Sequence, residues 1–282
     1  MPLAIVTGGA TGVGAATALR LARAGFSVAV LFNSSASDAD AVVSSARAAG
    51  ARVAAKYQCD VTSDASVRAA VASAAAELGD GAVDVLVHCA GATRLIPFSD
   101  MDGATDEVWA SLFDVNCTGA FRVVRAAAPL LAASVARGGG VDGRARVVLI
   151  SSVAARLVQG SSLPYACSKA AVDALVVGLA RTLAPTTVVN GVAPGFIEGD
   201  WLRTLLGDGF DASLAGFQGA APLRAVCTPD DVAEAVVGVA LGSKMVTGTV
   251  LTVDGGMVIQ GFVPLKSSDD KPPAADGGQK LN

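Results

Sequence analysis

Short runs of four to six apolar residues recur along this chain, separated by longer alanine-rich stretches, and this alternation constrains the fold more than any other feature. Val147-Val148-Leu149-Ile150 is apolar throughout instead of alternating with polar residues. That is the pattern of a strand covered by helices on both faces. Runs at 3–7, 27–32, 52–57, 83–88, 147–151, 187–192 and 249–253 read as strands. Between them, 12–24, 38–49, 64–78, a long stretch over about 105–136, 164–183 and 230–241 read as helices. Strands alternating with helices predict an α/β fold: one doubly wound parallel sheet of about seven strands, with right-handed crossovers and helices on both faces. A single domain over 1–263 follows, with 264–282, polar and carrying Pro and Gly, expected as a disordered tail.

Composition narrows the function. The chain has 282 residues, 52% apolar and 16% charged, enough to bury a large core. Its net charge of −4 and the absence of a Lys/Arg run argue against nucleic acid or an anionic membrane as partner. Mean hydropathy is +0.54, yet no run of ~18 consecutive apolar residues is present. Residues 2–19 are uncharged but broken by Gly8, Gly9, Gly12 and Gly14 and lack a positive flank, so no signal peptide is expected. Five scattered cysteines without a Cys-x-x-Cys read as reduced thiols of a cytoplasmic protein, and a single histidine argues against a zinc site; no metal is expected.

Two motifs carry chemistry. Thr7-Gly8-Gly9-Ala10-Thr11-Gly12-Val13-Gly14 follows the first strand and opens a helix. Glycines there allow a tight turn and bring backbone N–H groups against a pyrophosphate at the helix N-terminus, the fingerprint of dinucleotide binding in a Rossmann fold. The bland alternative is an ordinary strand–helix turn. Tyr165 and Lys169 lie four apart (169 − 165), on one face of a helix. A fixed ammonium beside a phenol stabilises the phenolate and makes the pair a tuned proton donor and acceptor; alone, it could equally be an exposed helical pair. The second strand ends Leu31-Phe32-Asn33-Ser34-Ser35. A site for NAD normally has a carboxylate here on the ribose hydroxyls. With Phe32 in that place, nothing repels a 2′-phosphate, and Asn33, Ser34 and Ser35 can donate to it, although no arginine stands at this site. NADP is favoured, with NAD possible.

Taken together, these features resemble the short-chain dehydrogenase/reductases over 3–257, closest to the branch of 3-oxoacyl-carrier-protein reductases and related ketoreductases. Asp60-Val61 is similar to the family's adenine-contacting pair, Cys89-Ala90-Gly91 to its Asn-Ala-Gly, and Asp114-Val115-Asn116 to the segment bearing its asparagine. Ser152 precedes Tyr165 by 13 (165 − 152), and Asn190 to Gly195 resembles the segment packed on the nicotinamide. The resemblance implies a catalytic tetrad of Asn116, Ser152, Tyr165 and Lys169. It implies a cofactor site of Gly8, Ala10, Thr11, Gly12, Val13, Gly14, Asn33, Ser34, Ser35, Asp60, Val61, Ala90, Gly91, Tyr165, Lys169, Pro194, Gly195 and Ile197. Ser152 would hold the substrate carbonyl and Tyr165 protonate it. Lys169 would bind the nicotinamide ribose and lower the Tyr165 pKa, and Asn116 would hold a water that refills Lys169. A homotetramer is implied as well. The chain departs from the pattern at His88-Cys89, where two asparagines are usual, and at Gly199, where a threonine is.

Segment 201–226, with Trp201, Leu202, Phe210 and Phe217 among glycines, reads either as a mobile lid over a partly apolar substrate or as a helix pair packed on the core. Arg94, Arg156 and Gln159 are candidates for the cleft mouth. Arg122, Arg125, Arg137, Arg144 and Arg146 are candidates for an acidic-carrier docking patch. The expected activity is NADPH-dependent reduction of a carbonyl, a 3-oxoacyl group or similar ketone. The alternatives are an alcohol, polyol or steroid-type dehydrogenase running oxidatively, and a non-catalytic dinucleotide sensor, against which the complete tetrad argues.

Overall fold

The computed structural model describes residues 2–261; the tail expected from 264 lies outside them. The chain runs β1 (Leu3–Thr7), α1 (Gly12–Arg23), β2 (Ser27–Phe32), α2 (Ala36–Ala48), β3 (Ala54–Gln58), α3 (Asp64–Leu78) and β4 (Val85–His88). It continues through α4 (Asp106–Phe113), a π-helical turn (Asp114–Thr118), α5 (Gly119–Ala136), β5 (Ala145–Ile150), α6 (Ala154–Leu157) and α7 (Leu163–Leu183). It closes with β6 (Thr187–Pro194), α8 (Asp200–Leu206), α9 (Phe210–Ala220), α10 (Pro229–Leu241), β7 (Val250–Val253) and a 3-10 turn (Met257–Gly261). All seven strands pair in parallel in the order β3-β2-β1-β4-β5-β6-β7. The order reverses between β1 and β4, the place where open α/β sheets bind ligands at their carboxyl edge.

Uniform apolarity of the strands has the expected cause. Every residue of β1, β2, β4 and β6 is buried, while the outermost strands β3 and β7 are partly exposed. One face carries Leu3, Ile5, Leu86, Val147 and Leu149 under α3, α5 and α7; the other carries Val6, Val28, Val30 and Val148 under α1, α2 and α10. Each such side chain contributes roughly 1.5–3 kcal/mol by leaving water. The stretches Asp106–Ala136 and Leu163–Leu183 are long and apolar enough to cross a membrane by length and composition. Here they cover the sheet, with Val123, Val124, Leu131, Val172 and Val176 in its core.

Two local differences from the sequence-based expectation have simple reasons. The third strand starts at Ala54 rather than 52, because Arg52 precedes the ladder that pairs Ala54 with Val28. The long helical stretch is two α-helices joined by a π turn around Asn116. Segment 201–226 contains two helices, of which α8 buries no residue and α9 buries Phe210; the rings of Phe210 and Phe217 lie 6.2 and 4.6 Å from that of Phe196.

Candidate active site

The glycine-rich turn admits little but glycine where it matters. A Cβ at Gly14 would stand 2.1 Å from the Gly8 carbonyl oxygen, and one at Gly8 2.8 Å from the Ala90 backbone nitrogen. Gly8 also has φ +61, a conformation open mainly to glycine. Thr11 precedes α1 without capping it through its side chain, so first-turn N–H groups face the cleft for an anionic group. A dinucleotide pyrophosphate fits this cradle of close backbone and unengaged donors.

At the end of β2, Phe32 is buried while Asn33 and Ser34 are exposed. Ser35 heads α2 without capping it. Strand pairing adds a group that the local sequence does not reveal. Lys56 of β3 lies opposite Val30, its Nζ 5.6 Å from the Phe32 ring centre and bonded to the Ala36 carbonyl at 3.0 Å. It also pairs with Asp40 at 2.5 Å. A cation thus stands beside a loop whose own sequence has none. Asp60 accepts from the backbone and hydroxyl of Thr62, at 2.9 and 2.7 Å, bonds that hold its pKa below the usual carboxylate range. Arg122 donates to the Val61 carbonyl at 3.2 Å. Gly195 packs so closely on Asp254 that a Cβ would come within 2.8 Å of the aspartate's own. Ile197 bridges to Cys227 at the stem of the α8–α9 excursion.

The four tetrad residues gather at the carboxyl edge of β4, β5 and β6. Asn116 sits in the π turn and is 1% exposed. Its Oδ1 accepts from Ala92 N–H at 2.8 Å; its Nδ2 donates to Ala92 O and to Ser168 Oγ, both at 2.9 Å. Ser168 in turn donates to the Tyr165 carbonyl at 2.7 Å. Asn116 therefore clamps the loop after β4 to α7, with both Nδ2 protons used and one lone pair of Oδ1 still open. Ser152 Oγ accepts from Ala154 N–H at 3.1 Å and also faces Tyr165. Lys169 is 5% exposed, with Nζ donating to the Ile150 carbonyl at 2.8 Å and standing 5.9 Å from the Tyr165 ring centre.

Burial raises the Tyr165 pKa, and the hydrogen bond with Ser152 pulls it back. Lys169 lies on the same side, its Nζ held by the Ile150 carbonyl. Burial brings Lys169 itself down to about 8, opposed by Cys89 and Asp173. Burial pushes the Cys89 thiol up to about 12, and those of Cys59 and Cys227 to about 11. No cluster of three or more metal-ligating side chains occurs among the described residues.

Around the cleft, Leu95, Phe98, Met101, Val158 and Trp201 are exposed. Val158 ends α6 in a left-handed conformation, φ +49, rare for a β-branched residue. Arg156 turns away from the mouth and donates to Thr252 Oγ1 at 2.7 Å and to the Val250 carbonyl at 3.1 Å. Four of the five arginines considered for carrier docking, all but Arg144, are engaged with other groups of the chain. Arg122 pairs with Asp114 and Arg125 with Asp64, each at 2.7 Å; Arg137 binds the Asp80 carbonyl, and Arg146 is 1% exposed.

Comparison with known proteins agrees with this geometry. The family profile described as enoyl-(acyl carrier protein) reductase matches residues 8–258. The chain is 39% identical over 256 residues to a ketoacyl reductase assigned to granaticin polyketide synthesis in Streptomyces violaceoruber, covering 90% of this chain and 95% of that protein. It is 31% identical over 256 residues to the 3-oxoacyl-acyl-carrier-protein reductase FabG of Staphylococcus epidermidis, covering 90% and 98%. Among solved structures, a variant actinorhodin polyketide ketoreductase with NADPH superimposes with a TM-score of 0.79 at 28% identity, covering 91% of this chain and 97% of that one.

Proposed function

The chain belongs to the short-chain dehydrogenase/reductase family, and on that premise we propose that it is an NADPH-dependent reductase of a partly apolar ketone, with Tyr165 as proton donor. The observation that carries this reading is the convergence of Ser152, Tyr165 and Lys169 beside the glycine cradle, on a platform that Asn116 clamps. A bound nicotinamide dinucleotide supplies the hydride. Ser152 donates its hydroxyl proton to the substrate carbonyl oxygen as a hydrogen bond and orients it. Tyr165 delivers a proton to that oxygen; its raised pKa keeps the phenol protonated at neutral pH. Lys169, charged on the acid side of about 8, stabilises the phenolate left behind and holds the nicotinamide ribose. The cofactor contacts expected at Gly8, Ala10, Thr11, Gly12, Val13, Gly14, Asp60, Val61, Ala90, Gly91, Pro194, Gly195 and Ile197 belong to the same reading.

NADP over NAD is supported by Phe32 in place of a carboxylate, by the donors Asn33, Ser34 and Ser35, and by Lys56 beside them. The apolar groups at the rim favour a ketone with a hydrocarbon body. A homotetramer is supported by exposed Phe121, Val177 and Leu251 on α5, α7 and β7; light scattering giving a monomer mass would overturn it. The deciding assay is NADPH oxidation with acetoacetyl-CoA, run with NADH and with Tyr165→Phe in parallel. Turnover that needs both NADPH and Tyr165 supports the reading. Binding of NADPH without turnover rejects the 3-oxoacyl class.

A further inference from the structure

His88 is the one histidine of the chain. It closes β4 opposite Thr7 of β1 and Leu149 of β5, and it is 2% exposed. Its Nδ1 lies 2.9 Å from Thr7 Oγ1. With Nδ1 turned to β1, Nε2 points away from it, and this buried atom has no hydrogen-bond partner among the described residues. His88 is aligned with Leu149, whose side chain lies on the face of the sheet covered by α7, the helix that carries Lys169. Its Nζ is anchored on the carbonyl of Ile150, the residue after the one that pairs with His88. The remaining groups around this pair are Tyr165 and Asp173 of α7, the Cys89 thiol, and the neutral side chains of Thr7 and Asn116. Asp173 also faces Arg156 at 3.9 Å. The Asn116 amide spends both its protons and one Oδ1 lone pair on Ala92 and Ser168 and makes no hydrogen bond to Lys169.

We propose that His88 is a positioning residue for Lys169: a neutral imidazole that donates Nδ1–H to Thr7 Oγ1 and turns its Nε2 lone pair toward the ammonium. The opposite tautomer would aim an N–H dipole at a cation, and an imidazolium would bury a second positive charge beside the first. Burial, with Lys169 adding to it, accordingly brings the ring's pKa down to about 3. The lone pair favours the charged form of Lys169 against the burial that disfavours it. A proton relay through the ring has no exit, because behind Nδ1 lies only Thr7, whose oxygen meets the Ala90 N–H at 3.4 Å.

A chain with one histidine allows a direct test. Long-range nitrogen–proton NMR of the full-length protein should show Nδ1 protonated and Nε2 bare, unchanged between pH 8 and pH 5. A protonated Nε2, or titration near the ordinary ~6.5, overturns the proposal. This arm is independent of activity. The second arm rests on the reductase reading. In His88→Leu the alkaline limb of kcat/KM should move to lower pH by about one unit. In His88→Asn, whose amide oxygen can accept, it should stay near the wild-type position. Superimposed limbs for wild type and His88→Leu reduce His88 to packing and overturn the proposal. If His88→Leu does not fold, the wild-type nitrogen spectrum decides. Wild-type protein inactive on every ketone would reject the functional reading, while the tautomer seen in the spectrum would still support or overturn the role of His88.

Discussion

The glycine cradle with its tetrad and the α8–α9 excursion both border the cleft, yet they are built on opposite principles. In the first, backbone touches backbone, and the polar atoms of Asn116 and Ser168 are engaged by one another and by main chain. In the second, α8 contributes no buried residue, Phe210 and Phe217 anchor the pair on Phe196, and Trp201 and Leu223 face outward, 60% and 75% exposed. The contrast separates two tasks. Holding a cofactor and a proton donor in register requires a site that cannot relax. Under the proposed function, choosing among substrates falls to an apolar surface whose residues can change singly.

The comparison can be broken by substitutions of graded effect. Tyr165→Phe removes one oxygen from the rigid region and should lower kcat by 10²–10⁴, about 3–5 kcal/mol of transition-state stabilisation, with the melting temperature hardly moved. A loss below tenfold would deny Tyr165 its role. Gly14→Ala drives a methyl into the Gly8 carbonyl, 2.1 Å away. It should cost about 3 kcal/mol in chemical denaturation and abolish NADPH binding in a fluorescence titration; near-normal binding would show that the turn relaxes after all.

Lys169 sharpens the same point through pH. Its folded pKa of about 8 lies below the ordinary ~10.4 of the unfolded chain. Between these values the unfolded chain holds a proton that the folded protein has released, so this group destabilises the fold below about pH 8 and less as pH rises. The stability of wild type minus that of Lys169→Met should therefore rise across this window, by roughly 2–3 kcal/mol. Taking the difference removes the opposing contributions of Cys89 and Tyr165, whose raised pKa values act the other way. A flat or falling difference would mean that Lys169 is better hydrated than its 5% exposure suggests. The smallest effect on stability is expected from Trp201→Ala: within about 0.5 kcal/mol by denaturation, with KM for an apolar ketone raised several-fold and kcat kept. Loss of several kcal/mol would place Trp201 with the rigid region instead.

How much of this was legible depends on how far apart in sequence the cooperating residues are. The glycine turn and the Tyr165–Lys169 pair are local patterns, and the parallel sheet follows from strand–helix alternation, so all three could be read directly. Lys56 could not: it reaches the β2–α2 loop only because β3 pairs with β2, and Phe32 and Lys56 are 24 positions apart (56 − 32). The Thr7–His88 bond spans 81 residues and joins strands that only the parallel register aligns. The π turn in 105–136 was not legible in the sequence, since a single turn of five residues is too short to show a period of its own. For 201–226, composition could not reveal the anchor, since Phe196, on which Phe210 and Phe217 pack, lies outside the segment.

The stem of the excursion has a consequence for engineering. Glu198 N–H meets the Cys227 carbonyl at 2.8 Å and Cys227 N–H the Phe196 carbonyl at 3.1 Å, so the intervening stretch leaves and re-enters the fold at nearly one point. The entropic cost of closing such a loop grows only with the logarithm of its length, about 0.6 kcal/mol per doubling. The stretch can therefore be shortened, lengthened or exchanged for that of a relative as a cassette, leaving the parallel sheet intact.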